Sequence, residues 1–187
     1  MYGKQHRASF KSRTVRTKSA GELIHADVCG PMKEESVGGS RYFVCFKDDF
    51  SKYRRLFFLK AKSEVAKCLR ILLNEINATG LSVREFLSDG GKEFDDAEVR
   101  ELLQLKGITF CVVMPYTSEQ NGAAERENRT IVESARPMIH ANNLPIKLWA
   151  EAVNTAVYIL NRTGSTSVQN KTPIELWHRK EWANNLD

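Results

Sequence analysis

The chain has 187 residues, of which 42% are apolar and 27% are charged, a balance typical of a folded domain that can bury a core. Its longest apolar stretches are strand-sized or broken by charges, and none approaches the ~18 consecutive apolar residues that a membrane-spanning helix requires. Residues 1–20 lack the apolar central region of a signal peptide, so no membrane partner is expected.

The net charge of +5 is unevenly distributed along the chain. Residues 1–20 contain six lysines and arginines and no acid, and subtracting those six charges from +5 leaves −1 for residues 21–187. A basic arm on a nearly neutral body is suited to neutralising phosphates or to acting as a nuclear import signal. A merely solvated tail is an equally good interpretation of the arm alone.

Three strand-like segments open the predicted fold. Residues 22–27 are followed by Gly30 and Pro31, which predicts a strand that ends at Asp27. Residues 41–48 and 53–59 are rich in aromatic and β-branched side chains and are separated by a polar turn, so they predict a hairpin. We expect these three strands to be antiparallel.

Strands and helices alternate in the next part of the chain. Ser63 can cap a helix whose apolar residues recur at intervals of three and four, and Gly80 can close it. Residues 83–87 and 108–114 predict two further strands, with a helix between them that Asp95 can cap.

The last third of the chain is predicted to be mainly helical. A polar loop over residues 115–122 precedes a helix that runs from Ala123 toward His140. Pro137 should kink or break that helix, because an internal proline costs about 3 kcal/mol. A second helix follows Pro145 and carries Trp149 on its apolar face, which favours core packing over base stacking for this residue.

Three acidic residues, Asp27, Asp89 and Glu125, stand where predicted elements begin or end. Asp27 and Asp89 close the first and fourth strands, and Glu125 lies in the first turn of the helix after the polar loop. Phosphoryl transfer with two Mg²⁺ ions requires hard carboxylate oxygens from several elements. A lone acid at a strand end is more often a cap or a turn residue, so the functional interpretation depends on the set of three.

The spacing of these acids and several longer motifs point to one family. Asp89 and Glu125 are separated by 35 residues. The longer motifs are residues 25–31 (HADVCGP), 48–53 (DDFSKY), 88–94 (SDGGKEF), 120–129 (QNGAAERENR) and 172–177 (TPIELW). Together they closely resemble the catalytic core of retroviral and retrotransposon integrases, in the copia-type branch, from Gly3 to Trp177.

The resemblance implies an α/β, ribonuclease-H-like fold, in which helices flank a five-stranded mixed sheet of three antiparallel strands followed by β-α alternation. It also implies that Asp27, Asp89 and Glu125 are the catalytic residues and bind two Mg²⁺ or Mn²⁺ ions. The implied reaction is polynucleotidyl transfer on double-stranded DNA. Water first trims the ends of the element's DNA, and the freed 3′-hydroxyls then attack target phosphodiesters.

Further residues of the long helix and the loop before it are expected to contact DNA: Gln120, Asn121, Asn128 and Arg129. Asn128 and Arg129 follow Glu125 by three and four residues and therefore share its helical face. An alternative interpretation is an ion pair between Glu125 and Arg129 that only stabilises the helix.

Several polar residues near the acids have competing interpretations. His25 shares a sheet face with Asp27 and is a candidate partner of the metal-binding carboxylates, although a packed, hydrogen-bonded histidine is an equally good interpretation. Glu93 is expected on the flank of the site rather than as the third ligand. Asp48 and Asp49 have the composition of a structural turn.

The resemblance also predicts how the chain is organised. We expect a basic arm over residues 1–20 that follows a zinc-binding module missing here, an integrase core over residues 21–163, and a C-terminal extension over residues 164–187. A homo-oligomer acting in the host-cell nucleus, which it reaches through a cytoplasmic element particle, is expected. Two alternatives stay open: a domesticated or truncated copy that binds nucleic acid without catalysis, and a ribonuclease-H-like nuclease.

Overall fold

A mixed β-sheet covered by helices organises the chain. The computed structural model describes residues 17–112, 118–141 and 143–180, and for residues 118–125 it describes the helix but not the side chains. The strands are β1 (Leu23–Cys29), β2 (Tyr42–Asp48), β3 (Arg54–Leu59), β4 (Glu85–Ser88) and β5 (Thr109–Val112). The helices are α1 (Val65–Ala78), α2 (Ala97–Leu105), α3 (Ser118–His140), α4 (Trp149–Thr163) and α5 (Pro173–His178), with 3₁₀ turns at Lys62–Glu64 and Ile146–Leu148.

The strands lie in the order β3-β2-β1-β4-β5. β1, β2 and β3 are antiparallel neighbours, whereas β4 pairs in parallel with both β1 and β5. The antiparallel and parallel halves of the sheet therefore meet at β1. The predicted sheet of three antiparallel strands followed by β-α alternation is confirmed.

Each face of the sheet has its own hydrophobic core. Ile24 and Ala26 of β1 belong to the core that α1 and α2 cover. Cys29 of the same strand packs against the core that α3 and α4 cover. Because successive side chains of a strand point to opposite faces, His25 and Asp27 lie on the α3 side of the sheet.

The end of β1 differs from the prediction. Val28 and Cys29 still pair with β2, so the strand does not end at Asp27. The chain leaves the strand at Gly30, where φ is 128° and an added Cβ would lie 2.7 Å from the carbonyl oxygen of Arg41. Only glycine fits that close approach. Asp27 is therefore held inside the sheet, where its backbone cannot move as a loop residue would.

Two predicted helix caps are each wrong by one residue. A 3₁₀ turn precedes α1, so its N-cap is Glu64 rather than Ser63, and no side chain caps it. The Glu64 carboxylate instead accepts the backbone N–H of Lys60 at 2.7 Å. At the start of α2 the cap is Asp96 rather than Asp95, and its carboxylate accepts the N–H of Glu98 at 3.0 Å.

The long helix α3 also departs from the prediction. It begins at Ser118, earlier than expected, and continues through Pro137 without a break. Ile131 and Ile139, on either side of the proline, are both buried against the sheet, and this packing stabilises the helix across the missing hydrogen bond. Residues 113–117, which include the end of the predicted strand 108–114 and the start of the predicted loop, lie outside the described residues.

Aromatic packing ties the C-terminal helices to the sheet. Trp149 is 2% exposed and packs against Phe43 and Phe58, so the predicted core role is confirmed. Trp177 of α5 stacks on Tyr53 with ring centroids 4.9 Å apart. The segment after residue 163 thus contributes to the main core, although the boundary itself stays a prediction. Within the described ranges, no helix is both long and apolar enough to span a bilayer.

Replacing Trp177 with alanine should lower the free energy of unfolding by about 3 kcal/mol, because a buried aromatic ring and its stacking partner are separated. Urea denaturation followed by circular dichroism measures the change. Trp177→Phe keeps a ring over Tyr53 and should cost less than half as much. A loss below about 0.5 kcal/mol for the alanine variant would show that α5 is not part of the cooperative unit.

Candidate active site

Asp27 is the centre of the candidate site. It lies in β1 opposite Cys45 of β2, and its side chain points toward α3. The side-chain amide of Asn128 in α3 donates a hydrogen bond to Asp27 Oδ2 at 2.8 Å. This contact joins the sheet to the helix that also carries Glu125.

Asp89 is brought beside Asp27 by the parallel pairing of β4 with β1. Ala26 is in register with Ser88, so the residues that follow them, Asp27 and Asp89, stand at the same level. Asp89 Oδ1 accepts the backbone N–H of Gly91 at 3.0 Å, which fixes the carboxylate against the turn after the strand. The predicted proximity of the first two acids is therefore seen in the structure.

Burial and the negative charge of Asp89 together raise the pKa of Asp27 from its ordinary value of 3.8 to about 6. The hydrogen bonds from Asn128 and from the backbone of Val28 act in the opposite direction and are outweighed. Glu93 adds a smaller repulsion. Among the described contacts, no cationic side chain pairs with the Asp27 carboxylate. The site thus concentrates negative charge, and this arrangement favours the binding of a cation.

Three predicted site residues cannot be located at the level of side chains. The backbone of Gln120, Asn121 and Glu125 lies in α3, but their side chains are outside the described residues. Helical spacing places position 125 one turn before Asn128, on the same side of the helix. Among the side chains that the structure describes, no three His, Cys, Asp or Glu residues form a metal-binding group. Glu125 as a ligand stays a prediction.

Asn128 and Arg129 have different environments. Asn128 is 6% exposed, and its Oδ1 is buried with no hydrogen-bond partner in the described part of the chain. Arg129 is exposed on the helix surface. Asn128 therefore contacts the first acid directly, a role that sequence spacing did not indicate. Contact of either residue with DNA stays a prediction.

His25 shares the α3 face of the sheet with Asp27, as predicted. Both residues line a cavity of about 80 Å³ between β1, β2 and α3. The partner of His25 is Asp49, whose Oδ1 lies 3.4 Å from His25 Nε2. This contact favours the packed, hydrogen-bonded interpretation, and its expected role beside a metal stays a prediction.

The structure agrees with the predictions for two other acids, Asp48 as a turn residue and Glu93 on the flank of the site. The buried carboxylate of Asp48 accepts the N–H of Gly21 at 2.8 Å and both the N–H and the hydroxyl of Ser51, so it organises the turn between β2 and β3. Glu93 accepts a hydrogen bond from Lys62 at 2.8 Å. That ion pair occupies the Glu93 carboxylate on the flank of the site.

Sequence reasoning missed a buried ionic cluster next to Asp27. Glu127 of α3 is 8% exposed and accepts hydrogen bonds from Lys47 of β2 and Arg54 of β3. Burial opposes the charge of Glu127, but the hydrogen bond from Arg54 and the charge of Lys47 hold its pKa below the ordinary value. Its position four residues before the buried Ile131 was a signal that it faces the core and requires cationic partners.

Comparison with known proteins identifies the family of the chain. Residues 17–118 match the family described as the integrase core domain. The chain is 39% identical over 182 residues to the retrovirus-related Pol polyprotein from transposon TNT 1-94 of Nicotiana tabacum, covering 97% of this chain and 14% of that protein.

Solved structures share the fold at low sequence identity. A simian T-cell lymphotropic virus intasome in complex with PP2A regulatory subunit B56 gamma aligns with a TM-score of 0.71 and 20% identity, over 93% of this chain and 60% of that one. The HTLV-2 integrase catalytic core domain in complex with magnesium aligns with a TM-score of 0.61 and 20% identity, over 86% and 98% respectively.

A five-stranded mixed sheet flanked by helices, shared with solved integrase catalytic cores, defines a ribonuclease-H-like fold. The chain belongs to the integrase core domain family. Its matching relatives are Pol polyproteins of copia-type retrotransposons, and it spans 14% of the length of the tobacco protein. The predicted family and fold are confirmed.

The carboxylates of Asp27 and Asp49 should have opposite effects on the stability of the fold. The pKa of Asp27 is raised, so its charged form destabilises the metal-free fold above about pH 6. Asp27→Asn should therefore raise the free energy of unfolding at pH 8 by about 1–3 kcal/mol, since one pKa unit corresponds to about 1.4 kcal/mol. The gain should fade as the pH drops from 6 toward 4. Thermal and urea denaturation in EDTA measure it.

Asp49→Asn is the matched comparison. The hydrogen bond from His25 holds the pKa of Asp49 well below its ordinary value, so the charged carboxylate stabilises the fold at neutral pH. The variant should lose about 1 kcal/mol at pH 7, and this loss should begin to shrink at about pH 4 and vanish only at a pH well below that, where the folded carboxylate is protonated. Changes of the same sign for both variants would contradict the assigned environments.

Proposed function

We propose that this chain is the catalytic core of a retrotransposon integrase, a metal-dependent polynucleotidyl transferase. It trims the ends of the element's DNA and joins their 3′-hydroxyls to target DNA. The observation that carries the proposal is the placement of Asp27, within β1, beside Asp89, which directly follows the parallel strand β4. Membership of the integrase core domain family supports the class of reaction.

The residues present fit a divalent cation. Asp27 and Asp89 provide hard oxygen ligands, and a bound cation would offset both the burial and the repulsion from Asp89 that raise the pKa of Asp27. The buried Oδ1 of Asn128 lacks a partner within the described residues, and a hydrated ion could satisfy it. The solved HTLV-2 core domain in complex with magnesium supports the choice of metal. We therefore assign Asp27, Asp89 and Glu125 as ligands of two Mg²⁺ or Mn²⁺ ions.

When bound, such ions lower the pKa of the attacking water or 3′-hydroxyl and neutralise charge at the phosphate. The protein's own groups position the reactants. Asn128 donates to Asp27 and so orients the carboxylate, while the N–H of Gly91 orients Asp89. Arg129 lies exposed on the same helix, where it can pair with a DNA phosphate.

The substrate and assembly follow from the same proposal. Double-stranded element ends and target DNA are the partners, and Gln120 and Asn121, on the first turns of α3, are assigned to DNA contact. A homo-oligomer is proposed because related integrase structures are described as dimeric and trimeric forms and as an intasome. The proposed place of action is the nucleus of the host cell.

A DNA-joining assay tests the reaction. The chain is incubated with labelled element-end DNA and Mg²⁺ or Mn²⁺, and joined products are expected that Asp89→Asn reduces to background, because that variant removes a ligand charge. Asp95→Asn, which alters an exposed carboxylate of the same loop, is the matched control and should retain activity.

Other product patterns would contradict an integrase. Metal-dependent cleavage without joining would indicate a ribonuclease-H-like nuclease. Binding that neither metal nor Asp89→Asn affects would indicate a copy that holds nucleic acid without catalysis.

A further inference from the structure

We propose that Glu127 is a positioning residue. Its ion pairs to β2 and β3 set the rotation of α3 about the helix axis. That rotation determines where Glu125 lies relative to Asp27. The proposal rests on the function assigned above. Glu127 touches neither Asp27 nor Asp89 in the described contacts, so it is not itself assigned as a catalytic residue.

Two consecutive residues of α3 attach the helix to three strands. Glu127 pairs with Lys47 of β2 and with Arg54 of β3, and Asn128 donates to Asp27 of β1. Hydrogen bonds and ion pairs are directional, whereas apolar packing alone lets a helix slide or turn. The polar contacts therefore define one orientation of this part of α3 on the sheet.

The partner of Glu127 is itself rigidly held. Arg54 is 8% exposed, and its guanidinium also donates to the carbonyl oxygen of Lys52 at 3.0 Å. The backbone N–H and carbonyl of Arg54 bond to the two ends of the Asn161 side-chain amide at 2.9 and 2.8 Å. Asn161 belongs to α4 and is buried. The cluster thus joins α3, the sheet and α4 through one buried arginine.

Helical geometry connects this cluster to the catalytic position. At 100° per residue, position 127 is about 100° from Asn128, and position 125 is about 60° from Asn128 on the other side. Glu127 and Glu125 therefore occupy opposite flanks of the helix face that covers the sheet. If α3 rotates about its axis so that the Glu127 contacts relax, position 125 moves relative to Asp27 and Asp89, either away from them or across them.

A purely structural role is the competing interpretation. A buried carboxylate between two cations also stabilises the fold, and removing it leaves Arg54 without its charge partner. The two roles differ in one measurable respect. Only a positioning role changes metal affinity and turnover at a temperature where the variant remains fully folded.

The experiment compares Glu127→Gln with the unaltered chain in two measurements. The first is Mn²⁺ affinity, from a titration that is monitored by electron paramagnetic resonance, and the second is kcat and KM in the joining assay. We expect Mn²⁺ affinity and kcat to fall roughly tenfold, the lower end of the effect of residues that orient metal ligands. KM for DNA should change by less than about twofold, because no DNA contact is removed. Lys47→Met, which leaves the pair with Arg54 intact, should produce a smaller loss in the same direction.

Two controls separate positioning from stability. Ile76→Val destabilises the core on the other face of the sheet and should leave Mn²⁺ affinity unchanged at a temperature where it is folded. Glu75→Gln breaks an exposed pair with Arg55 and should also have no effect on metal affinity.

The outcomes are distinguishable. If the unaltered chain binds Mn²⁺ but Glu127→Gln and Lys47→Met bind it equally well, the positioning role is overturned and the proposed function stands. If the unaltered chain binds no Mn²⁺, the proposed function fails, and the positioning role fails with it. Loss of affinity in both variants, with none in Ile76→Val, supports the role.

Discussion

Electrostatic repulsion between Asp27 and Asp89 is the interaction around which the rest of the site is arranged. Burial of Asp27 and the neighbouring charge both oppose its ionisation. The fold nevertheless keeps the two carboxylates together, because β4 runs parallel to β1 and brings its end to the level of Asp27. A protein selected for stability alone would place an apolar residue at the centre of such a sheet. The proposed divalent cation would relieve this repulsion.

Helix α3 forms the other wall of the site and is held by polar groups rather than by packing alone. Asn128 bonds to Asp27, and Glu127 bonds to Lys47 and Arg54. The same helix carries position 125 and the exposed Arg129. In the proposed site, the sheet positions Asp27 and Asp89, and α3 would supply the third acid and the residues that contact DNA.

Local signals in the sequence predicted the sheet and the acids well. Strand composition identified all five strands, and the spacing of Asp89 and Glu125, with the longer motifs, indicated the family. Helix caps were less predictable, because Asp95 and Asp96 are chemically equivalent and only the folded backbone decides which one caps α2. The extent of β1 depended on pairing with β2, which no local pattern of residues 22–29 reveals.

The ion pairs of Glu127 with Lys47 and Arg54 could not be predicted from the sequence for a different reason. Helical periodicity could have placed Glu127 on the buried face, but its partners are 80 and 73 residues away in the chain. Choosing Lys47 and Arg54 among the other cations requires the strand register. The Asp27–Asn128 contact spans 101 residues and was missed for the same reason.

The most direct test of the central claim, that these acids form a metal site, is an anomalous difference map from crystals of the chain soaked in Mn²⁺. We expect a peak at about 2.0–2.2 Å from carboxylate oxygens of both Asp27 and Asp89, with the Glu125 side chain completing the coordination. Asp89→Asn crystals should lose the peak. A peak held by Glu93, or no peak beside Asp27 in the unaltered chain, would contradict the assignment of the active site.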